Sequence, residues 1–200
     1  METRYRREGE TYLIEIKLSD ARQIFNSLDP APFIDKDLDD DAEAYIVDSA
    51  REFHLKTPLK LVFYLPAPVA GENVQSLPDA VRNYFAYRAG LARKEVSYTL
   101  RQGRGSLLIG LAFLFLCISL RQLVALAGHS TVEQILEEGL LISGWVAMWR
   151  PMQIFLYDWW PIQLRRRVLE KIQHMPMEVR LFSHAQRDVR LGDQLHETAE

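Results

Sequence analysis

The chain has little cysteine, no metal-ligand motif and no excess of basic residues. Its single cysteine, Cys117, excludes an intramolecular disulfide, as expected for soluble parts that face a reducing compartment. The five histidines are not spaced as ligand pairs, and neither HExxH nor CxxC occurs, so we predict neither a metal nor a cofactor. The 24 basic residues are outnumbered by 27 acidic ones. This argues against nucleic acid as a partner, because proteins that bind it gather a basic excess on one surface.

A catalytic constellation is also missing. Ser106 and Ser119 lack the GxSxG context of a nucleophile elbow, and the sequence Gly103-Arg104-Gly105 lacks the spacing of a phosphate loop. The first ten residues, METRYRREGE, are polar and charged, so we expect no cleavable signal peptide. The sequence therefore predicts a protein that is not an enzyme and that inserts into a membrane through internal segments.

The sequence does contain a long apolar stretch from Ser106 to Ala127, and its first part, residues 106–120, carries no charge. This length matches the roughly 20 residues that a helix needs to cross a bilayer. A second candidate span, from Gly139 to Leu164, follows after a short connection. We therefore predict a two-helix transmembrane hairpin over residues 103–164, with spans at about 106–127 and 139–164.

The charges around the two spans predict their orientation. Basic residues flank the outer ends of the pair, whereas residues 122–138 contain no Lys or Arg. By the positive-inside rule, we expect both termini in the cytoplasm and the connection outside, as in a multi-pass protein of the inner membrane. The flanking basic residues are Arg93, Lys94, Arg101 and Arg104 before the first span and Arg165, Arg166, Arg167 and Lys171 after the second.

Residues 1–102 predict a small cytoplasmic α+β domain. Apolar and polar residues alternate over 12–18 and 59–65, which indicates two strands, and alternate again over 177–182. Because a two-stranded sheet is rarely stable alone, we expect the third strand to join the first two in a short mixed sheet with two or three helices. Residues 165–200 would then form a basic helix, this strand and a polar tail.

An acidic segment and a capping motif mark the helices of this domain. As a calcium loop, the acidic segment would place Asp40 where the turn needs glycine and Ile46 where a glutamate should close the site, so we favour helix capping. The sequence Ser76-Leu77-Pro78-Asp79 predicts the start of a helix that leads into the first span, with Gly103 and Gly105 allowing a bend. The aspartates of the acidic segment are Asp35, Asp37, Asp39, Asp40 and Asp41.

Two arginines lie within the predicted spans. Arg121 is near the outer end of the first span, where it can reach the headgroups or pair with Glu137 or Glu138. Arg150 falls near the middle of the second span, where an arginine costs about 2.5–3.5 kcal/mol on insertion scales. Asp158, the only acid of that span, is eight residues further on. That separation is about 12 Å in a regular helix, which is too far for a direct pair.

Three interpretations of Arg150 remain open. The helix can break at Pro151 and let the guanidinium reach an interface; Arg150 can contact a protein partner or a lipid phosphate; or it can line an ion or substrate path. Trp145 and Trp149 lie one turn apart beside Arg150. The candidate residues for contact with a partner or with lipid are therefore Arg121, Trp145, Trp149, Arg150 and Asp158.

The segment IFNSLDPAPFIDKDLDDDAEAYIVDSARE, followed by PLKLVFYLP, resembles the N-terminal region of a group of uncharacterised bacterial membrane proteins with a small cytoplasmic domain and two spans. The resemblance implies the same architecture and no catalytic residue. We therefore expect a membrane anchor or assembly subunit whose cytoplasmic domain binds protein partners, as a homo-oligomer or within a larger complex. One alternative is an oligomeric transporter or ion-conducting protein lined by Arg150 and Asp158. Another is an enzyme that uses the acidic segment on lipid or nucleotide substrates.

Overall fold

The structure, a computed structural model of the chain, describes residues 5–67, 72–127 and 131–182. Its strands are β1 (Arg7–Glu8), β2 (Thr11–Lys17), β3 (Leu59–Pro66) and β4 (Met177–Phe182). Its helices are α1 (Asp40–Arg51), α2 (Glu72–Ala127), α3 (Thr131–Ala147), α4 (Trp149–Gln153) and α5 (Trp159–His174). Two short 3-10 turns cover Ala21–Ile24 and Phe33–Asp35, and a π-helical segment covers Ile154–Asp158.

The four strands form one mixed sheet in the order β1-β2-β3-β4, which confirms the α+β fold and the predicted union of the third strand with the first two. Strands β1 and β2 are antiparallel, whereas β2 with β3 and β3 with β4 are parallel. Leu61 lies opposite Ile14 on one side and opposite Met177 on the other. The sheet is thus assembled from segments that precede and follow residues 67–176.

Strand β3 is the centre of the core. The predicted inward-facing residues of this strand, including Leu61 and Phe63, are buried as expected. Val62, on the opposite face, is fully buried too, and so is Leu13 on β2. Strict alternation therefore underestimates the core, because a strand with parallel neighbours is often covered on both faces and reads as a continuous apolar run.

Helix α1 begins within the acidic segment, as the capping interpretation predicted. The side chain of Asp39 caps it by accepting a hydrogen bond of 3.1 Å from the Asp41 amide. Asp40, Asp41 and Glu43 occupy the first turn, where carboxylates interact favourably with the positive end of the helix dipole. The capping interpretation is therefore confirmed at Asp39.

Helix α2 begins at Glu72, before the predicted start at Ser76, and it contains Pro78 in its second turn. The helix continues through Gly103 and Gly105 to Ala127, so the expected continuity with the first apolar segment is confirmed. An 18-residue window of α2 has a mean hydropathy of 2.2, and only 11% of that window is buried. In the described residues, α2 is the one helix long and apolar enough to cross a membrane.

The second predicted span is not one continuous helix. Helix α3 ends at Ala147, and a turn at Met148 separates it from α4. The cause is Pro151, which has no N–H to donate to the carbonyl four residues earlier, at Ala147. The π segment then separates α4 from α5. The expectation of one continuous helical span over 139–164 is corrected accordingly.

The chain divides into two compact units, each described here by itself. The sheet unit comprises residues 1–90 and 167–200, and the helical unit comprises residues 91–166. Helices α2 and α5 each contribute residues to both units. The predicted division at residues 102 and 164 stays a prediction.

A charged network on the sheet ties the last strand to the first. Arg180 on β4 donates to Glu8 Oε2 at 3.1 Å and to Glu178 Oε2 at 3.0 Å. Lys60 on β3 contacts the same Glu178 carboxylate. The hydrogen bonds from Arg180, and then those from Lys60, lower the pKa of Glu178 to about 2. The network therefore links β1, β3 and β4.

We expect this network to make the sheet unit sensitive to acid. The folded-state pKa of Glu178 lies below its ordinary value of 4.5, so its contribution is present above that value and is lost as the pH falls towards 2. The effect is modest, about 0–1 kcal/mol, because exposed ion pairs are screened by solvent. Urea unfolding of Glu178→Gln beside the parent chain measures it: the parent should be more stable at pH 7, and the difference should shrink towards pH 3. A difference that is the same at both pH values contradicts this assignment.

Candidate functional site

The helical unit is held together by small residues on facing helices. Gly103, Gly110 and Cys117 are spaced seven residues apart and are the buried residues of α2 between 103 and 126. A Cβ added to Gly103 would lie 2.7 Å from Ile154 Cγ2, and one added to Gly144 would lie 2.8 Å from Leu114 Cδ1. We call Gly103, Gly110, Cys117 and Gly144 the seam. It lets α2 approach α3 and the segments after it closely, as small residues do between membrane helices.

The seam fixes the direction of the two facing segments. Gly103 meets the side chains of Ile154 and Phe155, whereas Gly110 meets Ala147 and Met148. Residue numbers rise on one side as they fall on the other, so the segments are antiparallel. The sequence interpretation assigned Gly103 a role in bending the helix and did not predict the seam. The signal available was the seven-residue spacing of small side chains, which places them on one face of a helix.

The remaining surface of the helical unit is apolar and exposed. Leu108, Ile109 and Phe115 on α2 are each about two-thirds or more exposed. The two predicted contact residues Trp145 and Trp149 are exposed as well. Monomeric soluble proteins rarely leave large contiguous apolar patches uncovered, so these exposed side chains are candidates for contact with a partner or with lipid.

Arg121 makes one of the contacts that the sequence interpretation left open. Its Nε lies 3.7 Å from Glu137 Oε2, so the end of α2 is paired with α3. Both side chains remain partly accessible. This arginine therefore has a partner within the chain at the end of the unit opposite to Gly103.

Arg150 and Asp158 form a direct ion pair, although their separation in a regular helix predicted that they would be too far apart. Arg150 donates from Nη1 to Asp158 Oδ2 at 3.2 Å. In a regular helix, two side chains that are eight residues apart point in directions that differ by about 80° around the helix axis. The π segment adds one residue to a turn, which returns Asp158 to nearly the same face as Arg150.

Arg150 also lies closer to one end of the unit than the sequence indicated. Counting along residues 139–160 placed it near the middle of a span. In the structure, it lies between the two levels at which Gly110 and Gly103 contact the opposite segment. Gly103 is next in sequence to Arg104, the last of the basic residues that precede the first apolar stretch. Of the predicted site residues, the structure thus pairs Arg150 with Asp158 and places Arg121 elsewhere.

The sheet unit carries a separate groove of about 400 Å³ beside the loop over residues 29–37. Asp29 shapes the loop by accepting hydrogen bonds from the amides of Asp37 and Ala31, and these bonds, the one from Asp37 first, lower the pKa of its carboxyl group. Leu28, next to it, is 88% exposed. The residues that line the groove are Asp29, Ala31, Asp35, Asp37, Asn83, Tyr84 and Tyr87.

A buried polar cluster fixes one wall of this groove. Tyr84 on α2 donates a hydrogen bond of 2.6 Å to Glu43 on α1, and Arg88 lies 2.8 Å from the other carboxylate oxygen. Burial, followed by the hydrogen bond to Glu43, raises the pKa of Tyr84. The cluster joins α1 to α2, so the groove is lined on that side by a rigid surface. The sequence analysis did not foresee the cluster, because nothing in the linear pattern pairs Glu43 with Arg88.

Similarity does not assign the chain to a family. Comparison with protein-family models, with curated proteins and with solved structures finds no match in any of the three. The resemblance of the acidic segment to two-span membrane proteins stays a prediction. The function of this chain must therefore be inferred from its own geometry.

Proposed function

We propose that the chain is a non-enzymatic anchor or assembly subunit of a bacterial inner membrane, with a cytoplasmic α+β domain that binds protein partners. The observation that carries this proposal is the pairing of β3 with β4 across residues 67–176. Both ends of the helical unit are thus joined to one folded domain. A membrane segment that begins and ends on the same side must cross an even number of times. The second half of α2 and the segment from α3 into α5 supply two crossings.

The surface of the helical unit supports lipid as its environment. The apolar window of α2 is largely unburied, unlike the core helix of a soluble protein. The seam resembles the packing between membrane helices, where close approach rather than water exclusion drives association. The interruptions at Met148 and in the π segment are tolerated in membrane helices, because local adjustments satisfy the freed backbone groups.

The distribution of charge supports a cytoplasmic sheet unit. Arg104 adjoins the Gly103 level, and three arginines at 165–167 follow the second crossing. Glu137 and Glu138 lie on α3 towards the other end of the unit, where Arg121 pairs with Glu137. The positive-inside rule then orients the Gly103 end of the unit towards the cytoplasm.

The groove of the sheet unit supports a role in binding protein partners. Its aspartates and tyrosines combine negative charge with aromatic surface, and the exposed Leu28 lies next to it in sequence. Aromatic residues are enriched at protein interfaces. The preferred partner is therefore a protein segment that carries basic and apolar side chains. A conducting path is less well supported, because Arg150 and Asp158 already pair with each other.

Site-specific photo-crosslinking in intact membranes tests this proposal. A photoreactive residue at Leu28 or Tyr87 should give crosslinked proteins that the same residue at Leu181 does not give. Leu181 is the matched control because it is also exposed but lies on β4 and does not line the groove. Crosslinks of equal yield at all three positions, or none at Leu28 and Tyr87, would argue against a partner at the groove.

A further inference from the structure

We propose that Arg150 binds the phosphate of an anionic phospholipid in the inner leaflet and that Asp158 orients its guanidinium group. This inference rests on the proposed membrane insertion of the helical unit. It goes beyond that function because it names a ligand and the residues that recognise it.

The geometry of the pair leaves Arg150 able to bind an anion. A guanidinium group has five N–H donors, and the bond to Asp158 uses one of them. The Arg150 side chain is 57% exposed, so its other donors remain accessible. Arginine binds phosphate through two parallel hydrogen bonds, which requires its planar group to be held in one orientation. The contact with Asp158 supplies that constraint.

The π segment is the second observation that points to a site. It consists of Ile154–Asp158 and ends on the residue that pairs with Arg150. Segments of this kind are rare, and they occur frequently at functional sites. Without the added residue, Asp158 would point about 80° away from Arg150 and the pair would not form.

The surroundings favour a lipid headgroup over a free phosphate ion. Trp149, Leu156, Tyr157 and Trp160 are all more than half exposed near the pair in sequence. Trp and Tyr are enriched at the headgroup level of membranes, and the apolar side chains would be covered by acyl chains. A free anion would leave this apolar surface uncovered. The arginines at 104, 165 and 167 are exposed too and complement an anionic leaflet.

Native mass spectrometry of the full chain, released from nanodiscs, tests this site. The nanodiscs contain phosphatidylcholine and phosphatidylglycerol in equal amounts, and the readout is the ratio of the two lipids that remain bound. We expect the parent chain to retain phosphatidylglycerol preferentially, and Arg150→Gln to reduce this preference about fivefold, the effect of one basic residue at an anionic surface. Asp158→Asn should reduce it in the same direction.

Arg121→Gln is the matched control, because Arg121 also pairs with a carboxylate, at the other end of the unit. It should keep the preference of the parent chain. Melting in nanodiscs of phosphatidylcholine alone checks that each variant is folded. If Arg150→Gln melts lower there, Arg150→Lys replaces it, and we expect the preference to fall by at least half because lysine lacks the planar fork.

Three results would overturn the site. The preference could survive the loss of Arg150, fall equally in Arg121→Gln, or be abolished by millimolar glycerol phosphate as readily as by added phosphatidylglycerol. The last result would assign the pair to a soluble phosphate. A parent chain that fails to enter nanodiscs would refute the proposed membrane insertion and this inference with it. A chain that inserts without any preference would refute the inference alone.

Discussion

Replacing Gly110 with leucine is expected to disrupt the packing of the helical unit, whereas the same change at Gly105 is expected to leave it intact. A Cβ at Gly110 would lie 3.1 Å from the Ala147 carbonyl oxygen and 3.2 Å from Met148 Sδ, so a leucine must push the segments apart. At Gly105 nothing lies within 4 Å of an added Cβ. Overpacking of this kind costs about 1–3 kcal/mol.

Cys117 provides the probe for this experiment, because it is buried in the seam and is the only cysteine of the chain. In detergent, the temperature at which Cys117 reacts with a fluorogenic maleimide reports the opening of the seam. We expect Gly110→Leu to lower that temperature by about 5–10 °C, and Gly105→Leu to change it by no more than about 2 °C. Equal shifts in the two variants would show that the seam does not hold the unit together.

Removing β4 is expected to abolish the cooperative folding of the sheet unit. A chain that ends after Met175 loses the ladder next to β3, including the bond of 2.9 Å between the Ala67 amide and the Phe182 carbonyl. It also uncovers the buried core residues Leu61 and Phe63. The loss exceeds several kcal/mol, a large part of the roughly 5–15 kcal/mol that stabilises a domain.

A chain that ends after Phe182 is the control for this truncation, because it keeps all four strands. Hydrogen exchange over β3 separates the two variants. The amides of Leu61–Phe63 should exchange rapidly in the shorter chain and slowly in the longer one. Retained protection in the shorter chain would mean that β4 is dispensable, and the argument for two crossings would lose its main support.

Much of the sheet unit could be predicted from local pattern. Alternation located the strands, and the marginal stability of two strands alone required a third. The order and direction of the strands could not be predicted, because alternation specifies which face is buried and not which neighbour is paired. The burial of Val62 was missed because alternation assigns only one face of a strand to the core, whereas β3 is buried on both faces.

The candidate site was predictable where it depends on short-range geometry and unpredictable where it depends on irregular backbone. Glu137 was one of the partners expected for Arg121, because the two residues lie on either side of the short connection between the spans. The Arg150–Asp158 pair was missed because the estimate assumed the regular rise of 1.5 Å per residue throughout. One added residue in the π segment changes the direction of every later side chain. No residue type in the sequence indicates that a π segment will form there.

Thiol accessibility in intact bacterial cells tests the central topology most directly. In a Cys117→Ser background, single cysteines are introduced by Leu28→Cys, Glu138→Cys and Leu181→Cys, all at exposed positions. The account predicts that a membrane-impermeant maleimide labels Glu138→Cys in intact cells, and labels the other two only after the inner membrane is permeabilised. Labelling of Leu28→Cys or Leu181→Cys in intact cells would contradict the account.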